Sequence, residues 1–427
     1  MLALLIVLSL AWGAVAALTA YQHASAASDV VAVSEPLSLD AEQIYQSLSD
    51  ADATAASAFL SGGLEPAALR QRYDSDISAA AIRIEAASAM VGASAARTKL
   101  PGQLAGRTSS TEARAATATG DDLAVLSADL PGYEGRVQTA RADNRLGLPL
   151  GAAYLREASD LLRGPMLNAA SDIYINENSL LTSASAQATG LPLLIVAVLI
   201  GIVICYALFR TSRWLTRHTH RLINTGLLVA LVVGVVSLVW LVGAFAVGRT
   251  ELLRAQQNGF IPAKAAAQAD VAALRAHADE SLTLIDNSGD DAFQQDFVVQ
   301  RKQLGPGTGT LLAAMQASPG PSGALVSAAV ANAQGWYRAH AALRRSDNSG
   351  DHTGAVTMAL NGEPATRFGS LSDALSKAIA ADQAAFASSA RSGRDAFTGL
   401  AAGMIVAALV MAVSCAWGLS RRLAEYR

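Results

Sequence analysis

Four uncharged apolar blocks fix what this chain can be: Met1–Ala20, Gly190–Phe209, Leu222–Gly248 and Thr398–Leu419. Each is about as long as the roughly 20 residues that a helix needs to cross a bilayer core. A chain of 427 residues with 52% hydrophobic and only 16% charged side chains is too apolar for an ordinary soluble protein. Its apolar excess is confined to these blocks, however, so well over half of the chain is polar enough to fold in water. The pattern excludes a packed polytopic transporter. The blocks also lack the ionisable groups that ion pathways keep inside the membrane.

Between the second and third blocks, residues 210–221 carry Arg210, Arg213, Arg217 and Arg221 and no acid, and residues 420–427 carry three further arginines against Glu425. The positive-inside bias assigns both segments to the cytoplasm and residues 21–189 and 249–397 to the outside. The expectation is a multi-pass plasma-membrane protein with both termini cytoplasmic. Of the 32 Lys and Arg, seven lie in the two basic segments, so the remainder carries a net charge of about −9. Nucleic acid is a poor partner for such a surface. Trp214, Trp240 and Trp417 sit near span ends, where amphipathic rings anchor at the headgroups. The first block has two readings, a retained span or a leader cleaved after Ala24-Ser25-Ala26; its lack of a basic start leads us to expect a natural N-terminus extending upstream of Met1.

The order span, outer region, span, basic loop, span, outer region, span reads as an internal repeat. Locally, Leu48–Gly62 can be laid on Arg275–Gly289, matching Asp52 with Asp279, Thr54 with Ser281 and Gly62 with Gly289. Both outer regions have helical composition and are cut by Gly/Pro clusters. In the first the breaks fall at residues 62–66, 101–106 and 147–149, and in the second at 287–290, 305–321 and 348–351. The expected fold is all-α: four transmembrane helices and two extracytoplasmic four-helix bundles, 21–189 and 249–397, related by duplication. Pro262 and Pro364 predict kinks.

No chemistry stands out. Cys205 and Cys415 lie near span ends and read as small buried hydrophobes; the six histidines form no ligand spacing, and the chain has neither a P-loop nor a GxSxG motif. The pairs Asp121-Asp122, Asp279-Glu280 and Asp290-Asp291 read as solvated, because neighbouring residues do not share a helix face. Gly399 and Gly403 form a GxxxG at the start of the last span. The expectation is a non-enzyme without cofactor or metal.

The double unit of span, helical outer domain and span, with the stretches Ser49–Leu60 and Ala278–Ile285, resembles the GlnX-type four-span proteins of high-G+C Gram-positive bacteria. The resemblance implies a relay: a GlnH-type amino-acid-binding lipoprotein docks outside, the spans adjust, and a separate PknG-type Ser/Thr kinase responds inside. It implies no ligand pocket in this chain. The expected docking surface is the set of distal turns, with Gly62, Gly63, Glu65, Asp286, Asn287, Asp290 and Asp291; the expected effector contact is Arg210, Arg213, Arg217 and Arg221, which also suit lipid headgroups. A homodimer would double the arrangement. Two alternatives remain open: a direct small-molecule receptor with Arg83, Glu85, Arg338 or His340 facing inward, and a structural scaffold of the cell envelope.

Overall fold

The computed structural model describes residues 2–29, 35–98, 110–219, 225–286, 291–305, 307–318 and 320–424, and these are helical, with no strand among them. In chain order the helices are α1 (Leu2–Asp29), α2 (Glu35–Leu60), α3 (Ala67–Thr98), α4 (Ser110–Arg145), α5 (Leu150–Leu161), α6 (Leu167–Thr189), α7 (Pro192–Thr219), α8 (Thr225–Ala255), α9 (Ile261–Ile285), α10 (Ala292–Leu304), α11 (Leu311–Ala317), α12 (Gly323–Asn348), α13 (His352–Asn361), α14 (Glu363–Ala396) and α15 (Leu400–Ala424). Single π-helical turns, Leu162–Met166 and Gln256–Phe260, join α5 to α6 and α8 to α9. The first contains Pro165, and Pro262 follows the second. A proline lacks its N–H and crowds the carbonyl four residues back, and a widened turn relieves both. Pro262 follows a π turn, itself a break in the regular helix, while Pro364 is the second residue of α14 and only begins a helix.

The chain divides into two compact units. One holds the four apolar helices, each long and apolar enough to cross a membrane. In this unit α1 and α8 each pack on both α7 and α15. Its core contains Trp12, Leu241, Phe245, Met404 and Met411, and the Trp12 indole donates to the Ala197 carbonyl at 3.1 Å. The outer faces bear exposed leucines, valines and isoleucines, the surface a lipid environment accepts. Cys415 is buried and Cys205 half-buried, both as free thiols. Gly399 lies outside α15 with φ +76°, and Gly403 admits the Trp240 ring, whose atoms a Cβ there would meet at 2.3 Å. The two glycines thus do not act as a paired helix seam. The basic segment is also not a loop as far as it is described, because α7 stays helical to Thr219.

The second unit joins residues 34–181 with 256–386, the two regions expected as separate bundles. Each half keeps its own apolar core, one around Leu48, Leu126, Tyr133 and Leu162, the other around Phe297, Trp336, Leu371 and Leu375. Leu282 of α9 enters the first core and Ala53 of α2 the second, so the halves interlock along α2 and α9. Alanines make this possible: Ala51, Ala53, Ala55, Ala56 and Ala58 on α2 and Ala266, Ala269, Ala273 and Ala276 on α9 are all buried. With only methyl groups between them, two helices approach closely on several sides at once. The cross-contacts Gln46–Asp270, Ser57–His277 and Tyr45–Arg275 have sequence separations of 224, 220 and 230, so α2 and α9 run parallel.

Candidate functional site: the α2–α9 seam and its end turns

At the centre of the seam, Arg163 projects from the first π turn. Its Nε donates to Asp52 of α2 at 3.0 Å and its Nη1 to Asp279 of α9 at 2.5 Å, and Ser159 donates to Asp52 at 2.6 Å. Burial opposes charge at Arg163 and Asp279, and their pairing opposes burial. Burial wins in part at Asp279, raised to about 6, while at Arg163 the two carboxylates win and hold the guanidinium charged. Asp52 and Asp279, matched in sequence, thus converge on one cation. A second knot lies beside it. Glu280, with no exposed surface, accepts from Trp336 at 3.5 Å and bonds the imidazoles of His340 at 2.6 Å and His277 at 3.5 Å. Burial alone would raise this carboxyl, but hydrogen bonds to His277 and His340 and their charge hold it at about 2. The acidic pair Asp279-Glu280 is therefore buried and engaged, not solvated.

Nearer the start of α2, carboxyls lie without full compensation. Glu42 is pushed up to about 8, chiefly by burial, with the Gln383 amide opposing. Burial also lifts Asp270 to about 7, against a hydrogen bond from Gln46, and Asp76 to about 8, where neighbouring Asp50 adds to it and Arg72 opposes. Two voids flank these groups. One, of about 300 Å³, is lined by Glu42, Tyr45, Gln46, Gln268, Arg275 and Gln300 among others. The other, of about 230 Å³, is lined by Asp50, Arg72, Asp76 and Asp270. Among the described residues no His, Cys, Asp or Glu cluster is arranged to hold a metal ion.

The turns expected to dock a partner gather at one end of the unit, where Leu60 packs on Leu284, Leu343 and Ala355. Gly62, at φ +75°, and Gly63 form the α2–α3 turn against Arg145, where a Gly63 Cβ would lie 3.4 Å from the Arg145 Cα. Glu65 is paired with both Arg70 and Arg141 at 2.9 Å, and Asn144 donates to the Phe59 carbonyl at 2.8 Å. Asp286 pairs with Arg156 at 3.1 Å. Asn287 and Asp290 lie outside the described residues, and Asp291 is largely exposed, 3.9 Å from Arg344. The predicted carboxylates Glu65 and Asp286 thus pin turns together. What those turns expose is apolar: Leu64 at 91%, Leu146 at 72%, and Leu148 and Leu150 at about half. Leu64 and Leu148 directly follow turn glycines and Leu146 directly precedes one, a signal available in the sequence.

Of the other predicted residues, Arg210 and Arg213 are exposed on α7; the helix includes Arg217, whose side chain lies outside the described set, as does all of Arg221. A spacing of three places Arg210 and Arg213 on one helix face. His340 is buried as the receptor reading required; Arg83 is half-buried and paired with Asp40 at 2.7 Å, while Glu85 and Arg338 point to solvent. Sequence reasoning missed Arg163 and Arg275, although Pro165 marked the break that presents the first.

Residues 26–186 match the family described as the Actinobacterial sensor domain, which covers α2 to most of α6. This similarity, over less than half of the chain, together with four apolar helices, suggests a sensor-type membrane protein with a role in signalling. No curated protein and no solved structure matches the chain.

Proposed function

We propose that this chain is a four-span sensor that docks a partner protein outside the plasma membrane and hands the signal to a separate cytoplasmic effector. The observation that carries the reading is the leucine-bearing end of the polar unit. Leu64, Leu146, Leu148 and Leu150 stand exposed on turns that Glu65–Arg141 and Asn144–Phe59 hold in place. A rigid apolar patch rimmed by charge marks a protein contact more often than a free surface. Following the family resemblance, the partner is an amino-acid-binding lipoprotein and the effector a Ser/Thr kinase, met by Arg210, Arg213 and Arg217 on the helical extension of α7. Both termini are then cytoplasmic, and the chain catalyses nothing itself.

The test is crosslinking in intact cells, with and without added amino acids, followed by capture of the tagged chain and identification of its partners. Expected is nutrient-dependent recovery of a solute-binding lipoprotein and a kinase, with the lipoprotein lost in Leu64→Lys/Leu148→Lys. Unchanged recovery of envelope-assembly proteins alone would favour a scaffold. A second reading, direct reception of a small molecule, draws support from the void of about 300 Å³ beside Arg275.

A further inference from the structure

The void beside α2 and α9 contains an unusual cation. Arg141, Arg156 and Arg163, partly or wholly buried in the same unit, each face a carboxylate within 3.1 Å. Arg275 is also partly buried, yet among the described residues its side chain bonds only the Tyr45 hydroxyl, at 2.7 Å, and its Nε is shielded from solvent with no acceptor. An uncompensated guanidinium donor costs more to bury than a paired one, so the arrangement is one that an anion would complete. Around it, Gln46, Gln268 and Gln300 offer amide groups, and Val271, Ile175 and Leu311 offer apolar surface.

We infer that this void is a binding site for a small organic carboxylate, with Arg275 taking the carboxylate and the glutamines its polar body. The inference rests on the direct-receptor reading of the sensor. Carboxylate is favoured over phosphate because, among the described residues, Arg275 is the one cationic side chain lining the void. A doubly charged anion would meet too little positive charge there. A volume near 300 Å³ sits at the lower end of about 300–1,000 Å³ for ligand pockets, which limits the ligand to a small molecule.

The experiment uses the purified full chain in detergent, with thermal unfolding followed by tryptophan fluorescence; Trp336 is fully buried in this unit. Probes are butyrate, glycolate and succinamate at millimolar concentration, each against its neutral amide, and inorganic phosphate. At least one acid should raise the midpoint by about 3 °C while its amide does not. Arg275→Gln should abolish the shift, and Gln300→Leu, which leaves the cation in place, should reduce it. The site is overturned if no acid shifts the midpoint, if amide and acid act alike, if phosphate outperforms every acid, or if Arg275→Gln retains the shift. Because no partner is present, failure here leaves the docking reading standing; loss of partner capture in the leucine variants would sink that reading without touching this site.

Discussion

Arg163 joins two helices through two carboxylates, and its removal tests how much of the seam depends on it. Arg163→Met leaves Asp52 and Asp279 buried without a counter-ion, which should cost about 3–5 kcal/mol and lower the unfolding midpoint sharply. Adding Asp52→Asn and Asp279→Asn removes the stranded charges, so the triple variant should recover much of the loss in the same thermal scan. A triple variant no better than Arg163→Met would show that the cation acts by packing instead. Glu42 allows a cleaner test of pH. Its pKa is raised from 4.5 to about 8, so the folded state binds the proton more tightly than the unfolded state. Its contribution is then fully present below pH 4.5 and is lost as pH rises towards 8. Glu42→Gln fixes the neutral form. The variant should match the parent near pH 4.5 and exceed it by about 4 kcal/mol near pH 8, read as a midpoint difference that grows with pH. Asp270 and Asp76 are raised in the same sense and leave a residual slope.

At the scale of elements, the seam depends on small side chains. Ala53 is 1% exposed and packs in the core of the other half. Ala53→Leu should overfill that contact and cost about 1–3 kcal/mol, whereas Ala124→Leu on the exposed face of α4 should change the midpoint little. The same alanines explain what the sequence could and could not reveal. The four apolar helices were legible because a charge-free run of that length has few other uses, and the turns at Gly62 and Gly147 because a positive φ selects glycine. The joining of the two halves was not. Ala51, Ala53, Ala55, Ala56 and Ala58 lie at every angle around α2, so no polar face distinguishes a helix buried on all sides from a soluble one. The helical extension of α7 was legible in principle, since residues 210–219 contain neither Gly nor Pro; their charge drew the loop reading instead. The Arg275 site was hidden because nothing local reports that a lone arginine on α9 will face Tyr45 of α2.

At the scale of the whole molecule, a sensor needs two arrangements that a bound partner or ligand favours unequally, because equal affinity for both shifts nothing. The parallel α2–α9 seam is suited to this. It joins the halves of the polar unit through polar bonds that can exchange partners, including Ser57 to His277 at 3.2 Å and Ser57 to Ser281 at 3.3 Å. Helix α9 is also continuous with α8 through a π turn, so the backbone is helical from Thr225 to Ile285 without interruption. If signalling requires the seam to slide, a covalent tie across it should silence the protein without unfolding it. Ser57 and Ser281 are close enough for their cysteine replacements to be tested as a disulfide pair. The polar unit has no native cysteine, so Cys205→Ala/Cys415→Ala supplies a clean background. In that background, oxidised Ser57→Cys/Ser281→Cys should capture the outer partner without nutrient-dependent change, and reduction should restore the response. A full response in the oxidised form, with the disulfide verified by mass spectrometry, would place the moving element elsewhere.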